Sequence, residues 1–166
     1  MVFKSIYRNQ NLILEILAKE DSIQSMSFIQ NTNQNANELE SSHDEHAIIR
    51  ECFFQLDEYF AGKRKEFKIP FSMEGTDFQK KVWGELLKIP YGQKITYLEL
   101  ARMLGDEKCV RAAASANGRN KLVILIPCHR VIGTNGSLTG YSGGIENKKR
   151  LLELEKNNSK LEGGLF

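Results

Sequence analysis

The chain has 166 residues, of which 41% are hydrophobic and 27% are charged. That length has room for one ordinary domain or two small ones, and the composition is that of a soluble globular protein rather than a disordered chain. No run of about 18 apolar residues occurs, which argues against a membrane span. Met1–Arg8 also lacks the pattern of a secretory signal. We therefore expect an intracellular protein.

Charge is distributed unevenly along the chain. Residues 1–75 carry 8 Lys/Arg against 12 Asp/Glu, a balance of −4, whereas residues 76–166 carry 15 against 9, a balance of +6. No acidic residue occurs between positions 108 and 145, a stretch with five cations: Lys108, Arg111, Arg119, Lys121 and Arg130. A basic surface without counter-charge suits a polyanion, because Lys and Arg on phosphates release condensed counterions. An ordinary solvated face has the same composition, so charge alone does not decide.

Residues 1–74 are predicted to form an α/β domain with a small sheet and one helix. Short apolar segments separated by polar turns, near Val2–Tyr7, Leu12–Leu17 and Ile23–Ile29, are typical of an antiparallel sheet. After a polar stretch, apolar residues recur at helical spacing from Glu45 to Phe60. Phe67–Phe71 is a candidate for one more strand. No motif in this half carries chemistry, so we expect its role to be structural.

The cysteines and histidines do not form a recognisable disulfide or metal framework. Cys52, Cys109 and Cys128 are odd in number and widely spaced, with no Cys-x-x-Cys pair. His43 and His46 lie three residues apart, but a solvated segment before a helix is the better interpretation. Cys52 falls on the apolar stripe of the predicted helix and is expected to be a packed core thiol. We predict no metal and no cofactor.

Residues 75–166 are predicted to form a second, mostly helical domain. Two capping boxes begin helices, Thr76-x-x-Gln79 and Thr96-x-x-Glu99. Behind the first box, apolar residues at helical spacing mark one face: Phe78, Val82, Leu86 and Ile89. Asp106 is a natural N-cap for a third helix that reaches about Asn117. Two short helices joined by a tight turn at Gly105 are the pattern of a helix-turn-helix, here of winged-helix-like character.

The third of these helices carries very little side-chain bulk. Residues 112–116 read Ala-Ala-Ala-Ser-Ala, and Arg111 is the one long cation before them. A helix this thin can approach another surface closely, either its own core or a nucleic-acid groove. The absence of acidic residues nearby favours the groove, with Arg111 projecting from the helix.

The surroundings of Cys128 distinguish it from the other two cysteines, although a lone cysteine is most often a small buried hydrophobe. Leu122–Ile126 is a continuous apolar run that predicts a buried strand, and Pro127 is expected to break it. Cys128 would then be exposed at a strand end, where sites are commonly assembled. His129 and Arg130 beside the thiol would lower its pKa and raise the fraction of nucleophilic thiolate.

The segment Ile-Pro-Cys-His-Arg-Val-Ile, residues 126–132, resembles the active-site signature of the O6-alkylguanine-DNA alkyltransferases, also called methylated-DNA–protein-cysteine methyltransferases. The resemblance runs from about Phe78 to Glu155, and the signature is highly specific. Further matching positions follow in order: Thr96-Tyr97, Arg111, Asn120-Lys121 and Gly140-Tyr-Ser-Gly-Gly144. The resemblance implies an N-terminal domain like a small ribonuclease-H-like α/β sheet, followed by the helix-turn-helix domain.

The resemblance also implies a reaction, which is DNA repair by transfer of the alkyl group from O6-alkylguanine, with O4-alkylthymine as a secondary lesion. Cys128 would be the nucleophile and the permanent acceptor, so that each molecule acts once, as a suicide methylated-DNA–[protein]-cysteine S-methyltransferase. His129 would act through a water as its base, and Glu155 would hold the imidazole. Asn120 would bridge the turns around the site, and Tyr97 would donate a proton or hydrogen bond to the departing guanine.

The same resemblance implies how the lesion is bound. The base would be flipped out of double-stranded DNA into a pocket lined by Tyr141. The carbonyls of Cys128 and Val131 would accept from its exocyclic amine, and the backbone N–H of Ser142 would reach O6. The DNA itself would be contacted in the minor groove, with Arg111 filling the gap in the base stack, by residues of the helix-turn-helix: Thr96, Arg111 and Ala112. We expect a monomer in the cytoplasm, associated with the nucleoid, or in the nucleus of a eukaryote.

Three positions depart from the pattern of some relatives. Lys121 stands where some members have proline. Asn117 and Thr139 are wall positions that are smaller or apolar in some members, which leaves the acceptance of bulky alkyl groups open. The N-terminal zinc ligands of some members have no evident counterpart in this chain.

Three alternative functions compete with alkyl transfer. Alkyltransferase-like proteins recognise the lesion without repairing it, but they lack the acceptor cysteine that this chain has as Cys128. A helix-turn-helix transcription factor would bind undamaged DNA of a specific sequence. A cysteine hydrolase would need an oxyanion hole and would turn over many times.

Overall fold

The computed structural model describes residues 1–30, 46–139, 141 and 143–163, with side chains up to residue 159. It divides into two compact units, Met1–Met73 and Glu74–Phe166. The boundary predicted from the sequence, between residues 74 and 75, lies one residue later. A small sheet with one helix is followed by a mostly helical unit, so the predicted fold class is confirmed.

The first unit is built on a three-stranded antiparallel sheet. Its strands lie in sequence order: β1 (Phe3–Asn9), β2 (Leu12–Lys19) and β3 (Ser22–Phe28). Asn9 pairs with Leu12, so a two-residue turn connects the first two strands. Gln10 in that turn adopts a φ of 53°, the left-handed conformation that such tight turns require. All three strands fall where apolar segments predicted them.

Helix α1 (Ala47–Phe60) packs against the strands of this sheet. Its buried apolar residues recur at helical spacing: Ile49, Cys52, Leu56 and Tyr59. Burial raises the pKa of the Cys52 thiol to about 12, which makes it the inert core thiol that its position predicts. A hydrogen bond of 2.7 Å from the Tyr7 hydroxyl to the Asp57 carboxylate joins sheet and helix.

The segment Phe67–Phe71 does not form the additional strand, and that prediction is wrong. Among the described residues, the strand-like pairing of this segment is limited to one isolated parallel β-bridge between Phe71 and Ile23. Gln55 instead satisfies both backbone groups of Lys68, donating to the carbonyl at 2.9 Å and accepting from the N–H at 2.9 Å. Pro70 has no N–H to offer a ladder. Local side-chain hydrogen bonds therefore replace strand pairing here.

In its described residues, the second unit has four α-helices and a two-stranded parallel sheet. Its elements are α2 (Asp77–Leu86), β4 (Ile95–Thr96), α3 (Tyr97–Met103), α4 (Val110–Gly118), β5 (Val131–Ile132) and α5 (Ile145–Gly163). Both predicted capping boxes are formed, with Thr76 and Gln79 at α2 and with Thr96 and Glu99 at α3. Each box satisfies two backbone donors that would otherwise be free at the helix start.

The predicted third helix begins later than expected. Asp106 caps a short 3₁₀ turn, Glu107–Cys109, by accepting from the N–H of Lys108 at 2.9 Å, and α4 follows that turn. Helices α3 and α4 pack against each other across this connection. The arrangement is consistent with a helix-turn-helix.

Trp83 rather than Phe78 anchors α2 in the core. Phe78, predicted as part of the apolar face, is 38% exposed, whereas Trp83 is 2% exposed. The Trp83 indole N–H donates to the carbonyl of Ala116 at 2.9 Å, which ties α2 to α4. An aromatic ring with a satisfied N–H is a strong anchor, and it fixes the helix that precedes the Cys128 segment.

No helix in the described part of the chain combines the length and hydropathy of a membrane span. The same residues contain no group of three or more His, Cys, Asp or Glu side chains placed to hold a metal ion. His43, which lies three residues before His46, is outside the described residues. The ring of His46 packs on Phe3 with centroids 4.1 Å apart.

Candidate active site

The apolar run Leu122–Ile126 is a buried turn and not the strand predicted for it. All five residues are at most 5% exposed. Asn120 organises the turn with its side chain, donating to the carbonyl of Ile126 at 2.8 Å and accepting from the N–H of Leu122 at 3.0 Å. Ile124 adopts a φ of 72°, a strained conformation for a β-branched residue. A conformation this unfavourable persists only where the surroundings hold it.

Cys128 follows this turn as the first residue of a short 3₁₀ turn, Cys128–Arg130. It is 1% exposed, so the prediction that Pro127 would leave it exposed is wrong. Burial raises the pKa of the thiol to about 11, although a hydrogen bond of 3.1 Å from the Asn120 amide and the nearby cation of Lys148 act to lower it. The resting thiol is therefore protonated, and nucleophilic attack requires removal of its proton.

Arg130 does not face the thiol, contrary to the sequence interpretation. Its guanidinium forms a two-point ion pair with the Glu155 carboxylate, at 2.9 Å from Nε and 2.9 Å from Nη2, and donates to the carbonyl of Ile89 at 2.7 Å. Bidentate geometry of this kind makes a strong and directional ion pair. Arg130 is 7% exposed, so it also does not belong to the basic surface.

Glu155 holds His129 as well as Arg130. The His129 Nε2 lies 2.8 Å from Oε1 of Glu155. Burial acts to raise the pKa of Glu155, but the hydrogen bonds and charges of His129 and Arg130 outweigh it and hold that pKa at about 2. The carboxylate is therefore ionised at neutral pH and can only accept, which assigns the proton of the imidazole to Nε2.

This assignment leaves the other ring nitrogen of His129 as an acceptor. Nδ1 is buried and has no hydrogen-bond partner among the described residues. Burial lowers the pKa of His129, and the cations of Arg130 and Lys148 add to that effect, against the hydrogen bond and charge of Glu155. His129 is thus neutral at pH 7, with a free lone pair one residue from the Cys128 thiol. A neutral imidazole in this state can act as a general base.

On the other side of the site, Tyr97 and Lys148 share one acceptor. The Tyr97 hydroxyl donates to the carbonyl of Thr139 at 2.8 Å, and the Lys148 ammonium donates to the same carbonyl at 3.3 Å. The Lys148 Nζ also lies 5.8 Å from the ring centroid of Tyr97 and 5.9 Å from that of Tyr141. A desolvated ammonium between two aromatic faces is stabilised by cation–π attraction.

Lys148 is a functional candidate that sequence reasoning missed. It is 0% exposed, and burial lowers its pKa while the neighbouring Cys128 acts to raise it. A signal was available, because Lys148 lies three and seven residues before Leu151 and Glu155. That spacing places all three on one face of α5, and all three are buried. Lysine side chains are usually exposed to solvent, so Lys148 was not considered as a site residue.

The remaining predicted pocket residues divide into described and undescribed ones. Val131 is fully buried, and Tyr141 is 8% exposed with its pKa raised well above the ordinary value by burial and by the nearby Cys128 and Glu155. Ser142 lies outside the described residues, as does Gly140. Arg111 and Ala112 are exposed on α4, and Thr96 is half-buried at the start of α3. Three further cations of the acid-free stretch are also exposed: Lys108, Arg119 and Lys121.

Comparison with known protein families matches nearly all of the described chain. Residues 77–157 match the DNA binding domain of 6-O-methylguanine DNA methyltransferase, and residues 13–73 match its ribonuclease-like domain. The chain is 51% identical to the methylated-DNA–protein-cysteine methyltransferase of Methanosarcina barkeri over 111 residues, which are 67% of this chain and 70% of that protein. It is 45% identical to the constitutive enzyme of Bacillus subtilis over 141 residues, 84% of this chain and 80% of that one.

Solved structures give the same result. The O6-methylguanine methyltransferase of Mycobacterium tuberculosis superposes with a TM-score of 0.83 at 37% identity, covering 95% of this chain and 94% of that one. The structure of that organism's protein in complex with DNA superposes with a TM-score of 0.79 at 36% identity, covering 92% of each chain. With both domain models, the sequence relatives and the fold in agreement, the chain belongs to the methylated-DNA–protein-cysteine methyltransferase family.

Proposed function

We propose that this chain repairs O6-alkylguanine in double-stranded DNA by moving the alkyl group onto Sγ of its own Cys128, once per molecule. The observation that carries the proposal is the buried Cys128 beside a neutral His129 whose free Nδ1 can take a proton, while Glu155 holds the opposite nitrogen. Membership of the family supports the reaction class, and the solved complex of the Mycobacterium tuberculosis relative with DNA supports DNA as the partner. The protein acts as a monomer in the cytoplasm and needs no cofactor.

The first step generates the nucleophile. A proton leaves Sγ of Cys128 and passes through a water to Nδ1 of His129. The resulting imidazolium is stabilised by the ionised Glu155 at 2.8 Å from Nε2. The thiolate is stabilised by the amide of Asn120, 3.1 Å from Sγ, and by the charge of Lys148. A buried and therefore poorly hydrated thiolate is a strong, soft nucleophile.

The second step is displacement at the alkyl carbon. The bond from Sγ to carbon forms as the bond from carbon to O6 of guanine breaks, and the electron pair of that bond leaves with guanine. The Tyr97 hydroxyl supplies a proton to the guanine ring, exchanging its acceptor at Thr139 for the base. His129 returns its proton to Tyr97 through solvent, so the products are a neutral guanine and a thioether. The thioether cannot be hydrolysed, which limits the protein to one turnover.

Access to Cys128 requires the lesion to leave the base stack. A thiol that is 1% exposed cannot reach a base inside a duplex, and flipping costs a few kcal/mol. Arg111, exposed near the start of α4, enters the vacated stack and offsets part of that cost. The carbonyls of Cys128 and Val131 accept from the exocyclic amine of the flipped base. O4-alkylthymine is a secondary substrate.

Intact mass after incubation with O6-methylguanine DNA tests this function. The protein should gain one methyl group, about 14 Da by the chemistry proposed, on the peptide that contains Cys128. Cys128→Ala should abolish the gain while the protein still binds DNA. Transfer to Cys52 or Cys109 in that variant would contradict the assignment, and repeated turnover without a mass gain would indicate a hydrolase instead.

A further inference from the structure

The turn between α2 and β4 contacts both members of the buried ion pair of Arg130 and Glu155. The carbonyl of Ile89 accepts from Nη1 of Arg130 at 2.7 Å. The backbone N–H of Gly92 donates to Oε2 of Glu155 at 3.4 Å. Between these two residues, the half-buried Tyr91 places its ring over the guanidinium, with Cζ of Arg130 5.7 Å from the ring centroid. Tyr91 has no part in the steps proposed above.

The Tyr91 ring covers a part of Arg130 that hydrogen bonds do not hold. Nε and Nη2 of the guanidinium donate to Glu155, and Nη1 donates to Ile89. These bonds fix the edges of the group, whereas its flat faces can only be covered by other atoms. An aromatic ring within about 6 Å attracts a cation through its face, and the flat, weakly hydrated guanidinium suits such stacking. Tyr91 therefore holds Arg130 in the orientation that pairs with Glu155.

Tyr91 is itself held against α5. The amide of Asn158 donates to the Tyr91 hydroxyl at 3.5 Å. Gly92 adopts a φ of 79°, and a Cβ built at this position would collide with the side chain of Ser159. The backbone of the turn thus lies closer to α5 than another residue at position 92 would permit. This contact leaves the Tyr91 ring little freedom to move away from Arg130.

We propose that Tyr91 is a positioning residue for proton removal by His129, an inference that rests on the proposed function. Tyr91 orients Arg130, Arg130 holds the Glu155 carboxylate at two points, and that carboxylate lies 2.8 Å from Nε2 of His129. An Arg130 that turned or became hydrated would hold the carboxylate less firmly beside the imidazole. The imidazolium forms only after Cys128 loses its proton, so the loss falls on the reaction step and not on DNA binding.

The test is the single-turnover rate of methyl transfer from O6-methylguanine DNA at saturating protein. Tyr91→Leu keeps an apolar side chain and removes the aromatic face, and we expect it to slow transfer about fivefold. Tyr91→Phe keeps the face and loses only the hydroxyl, so it should transfer within about twofold of the wild-type rate. Equal losses in the two variants would overturn the proposal, because a role of the ring face requires phenylalanine to restore the rate.

A double-mutant cycle tests whether Tyr91 acts through Arg130. Arg130→Lys keeps the charge but lacks the flat face and the two-point geometry. In that background Tyr91→Leu should slow transfer less than about twofold, since the group that the ring orients is gone. The same fivefold loss in both backgrounds would overturn the proposal. Should Tyr91→Leu not fold, Tyr91→Met gives the same cycle with a flexible side chain that fills irregular space.

DNA affinity, measured by fluorescence anisotropy, separates positioning of the base from damage to the DNA-binding surface. Tyr91→Leu should bind O6-methylguanine DNA as tightly as the wild-type protein, and a loss of affinity that accounts for the lower rate would overturn the proposal. Phe54→Leu, at an exposed aromatic position on α1, is the control and should change neither quantity. A wild-type protein that transfers no methyl group would overturn the proposed function, whereas wild-type transfer with a fully active Tyr91→Leu would overturn this inference alone.

Discussion

Arg130 and Glu155 form a buried ion pair joined at two points, with both N–O distances at 2.9 Å, and the same carboxylate receives the His129 ring at 2.8 Å. The carboxylate is 2% exposed in its side chain and the guanidinium 9%. Arg130 therefore keeps Glu155 ionised, and the ionised Glu155 keeps the His129 proton on Nε2. The cation close to Cys128 in sequence acts on the thiol through two intermediate side chains and not by direct contact.

Glu155 makes stability depend on pH in the acid range. Its folded pKa of about 2 is depressed from an ordinary 4.5. A carboxyl group whose pKa is lower in the folded state than in the unfolded state stabilises the fold at any pH above its unfolded pKa. That stabilisation is lost as the pH falls through its folded pKa. The wild-type free energy of unfolding should therefore fall by about 3 kcal/mol between pH 4.5 and pH 2 from this group, on the order of 1.36 kcal/mol per unit. Urea denaturation across this range measures it.

Glu155→Gln is the matched variant for that measurement. It should lack this part of the pH dependence, and it should be destabilised at pH 7 by about 3 kcal/mol because Arg130 is left buried without its counter-charge. Glu153→Gln, at an exposed position two residues earlier on α5, is the control and should change neither quantity. An unaltered acid limb in Glu155→Gln would show that other carboxyls cause the loss of stability.

The thiol of Cys128 should be unreactive toward small electrophiles in the absence of DNA. Burial raises its pKa to about 11 from an ordinary 9.0, so at pH 7.5 the thiolate fraction is about a hundredfold lower than for an ordinary cysteine. Modification by iodoacetamide, followed by peptide mass spectrometry, should be slower at Cys128 than at half-buried Cys109, and should rise with pH up to about 11. Rapid modification of Cys128 at pH 7 would contradict a protonated resting thiol.

Lys148→Met should slow methyl transfer by removing the cation that faces both Cys128 and Tyr97. Methionine retains most of the buried length and packs well against aromatic rings, so the loss reflects charge more than volume. We expect transfer to slow by at least about tenfold, and the pKa of the Cys128 thiol to rise further, since Lys148 acts to lower it. Lys149→Met, at the exposed neighbouring position, is the control. Equal rates for the two variants would exclude a role for the buried ammonium.

Local sequence rules predicted those elements whose cause is local. The strands followed from short apolar segments separated by polar turns. The two capping boxes followed from a hydroxyl and an amide or carboxylate three residues apart, because these contacts form within one turn of chain. Cys128 was found through a seven-residue signature. Leu122–Ile126 was predicted wrongly because a buried turn and a buried strand have the same apolar composition. The conformation was decided by the side chain of Asn120, whose hydrogen bonds the composition does not show.

The site was harder to predict where its contacts join distant segments. Arg130 was interpreted through its neighbour in sequence, but its partner Glu155 lies 25 residues away on α5. Lys148 was overlooked because a lysine is usually solvated. Its burial depends on two aromatic rings contributed by the start of α3 and the loop before α5. Contacts between residues this far apart in sequence can be identified only from the three-dimensional arrangement of the helices.

Arg111→Ala should slow methyl transfer more when the lesion is in a stable base pair than when it is in an unstable one. If Arg111 stabilises the vacated stack, its loss matters most where flipping is most costly. We expect the variant to slow transfer from a stably paired O6-methylguanine by about tenfold more than from the same lesion opposite a mismatch or an abasic position. Single-turnover rates on the two duplexes give the ratio.

Arg119→Ala, which removes an exposed cation just after α4, should weaken binding to both duplexes alike through the loss of one phosphate contact. A ratio of one for Arg111→Ala would place this residue among the general phosphate contacts, since only a side chain that replaces the flipped base is sensitive to what that base was paired with.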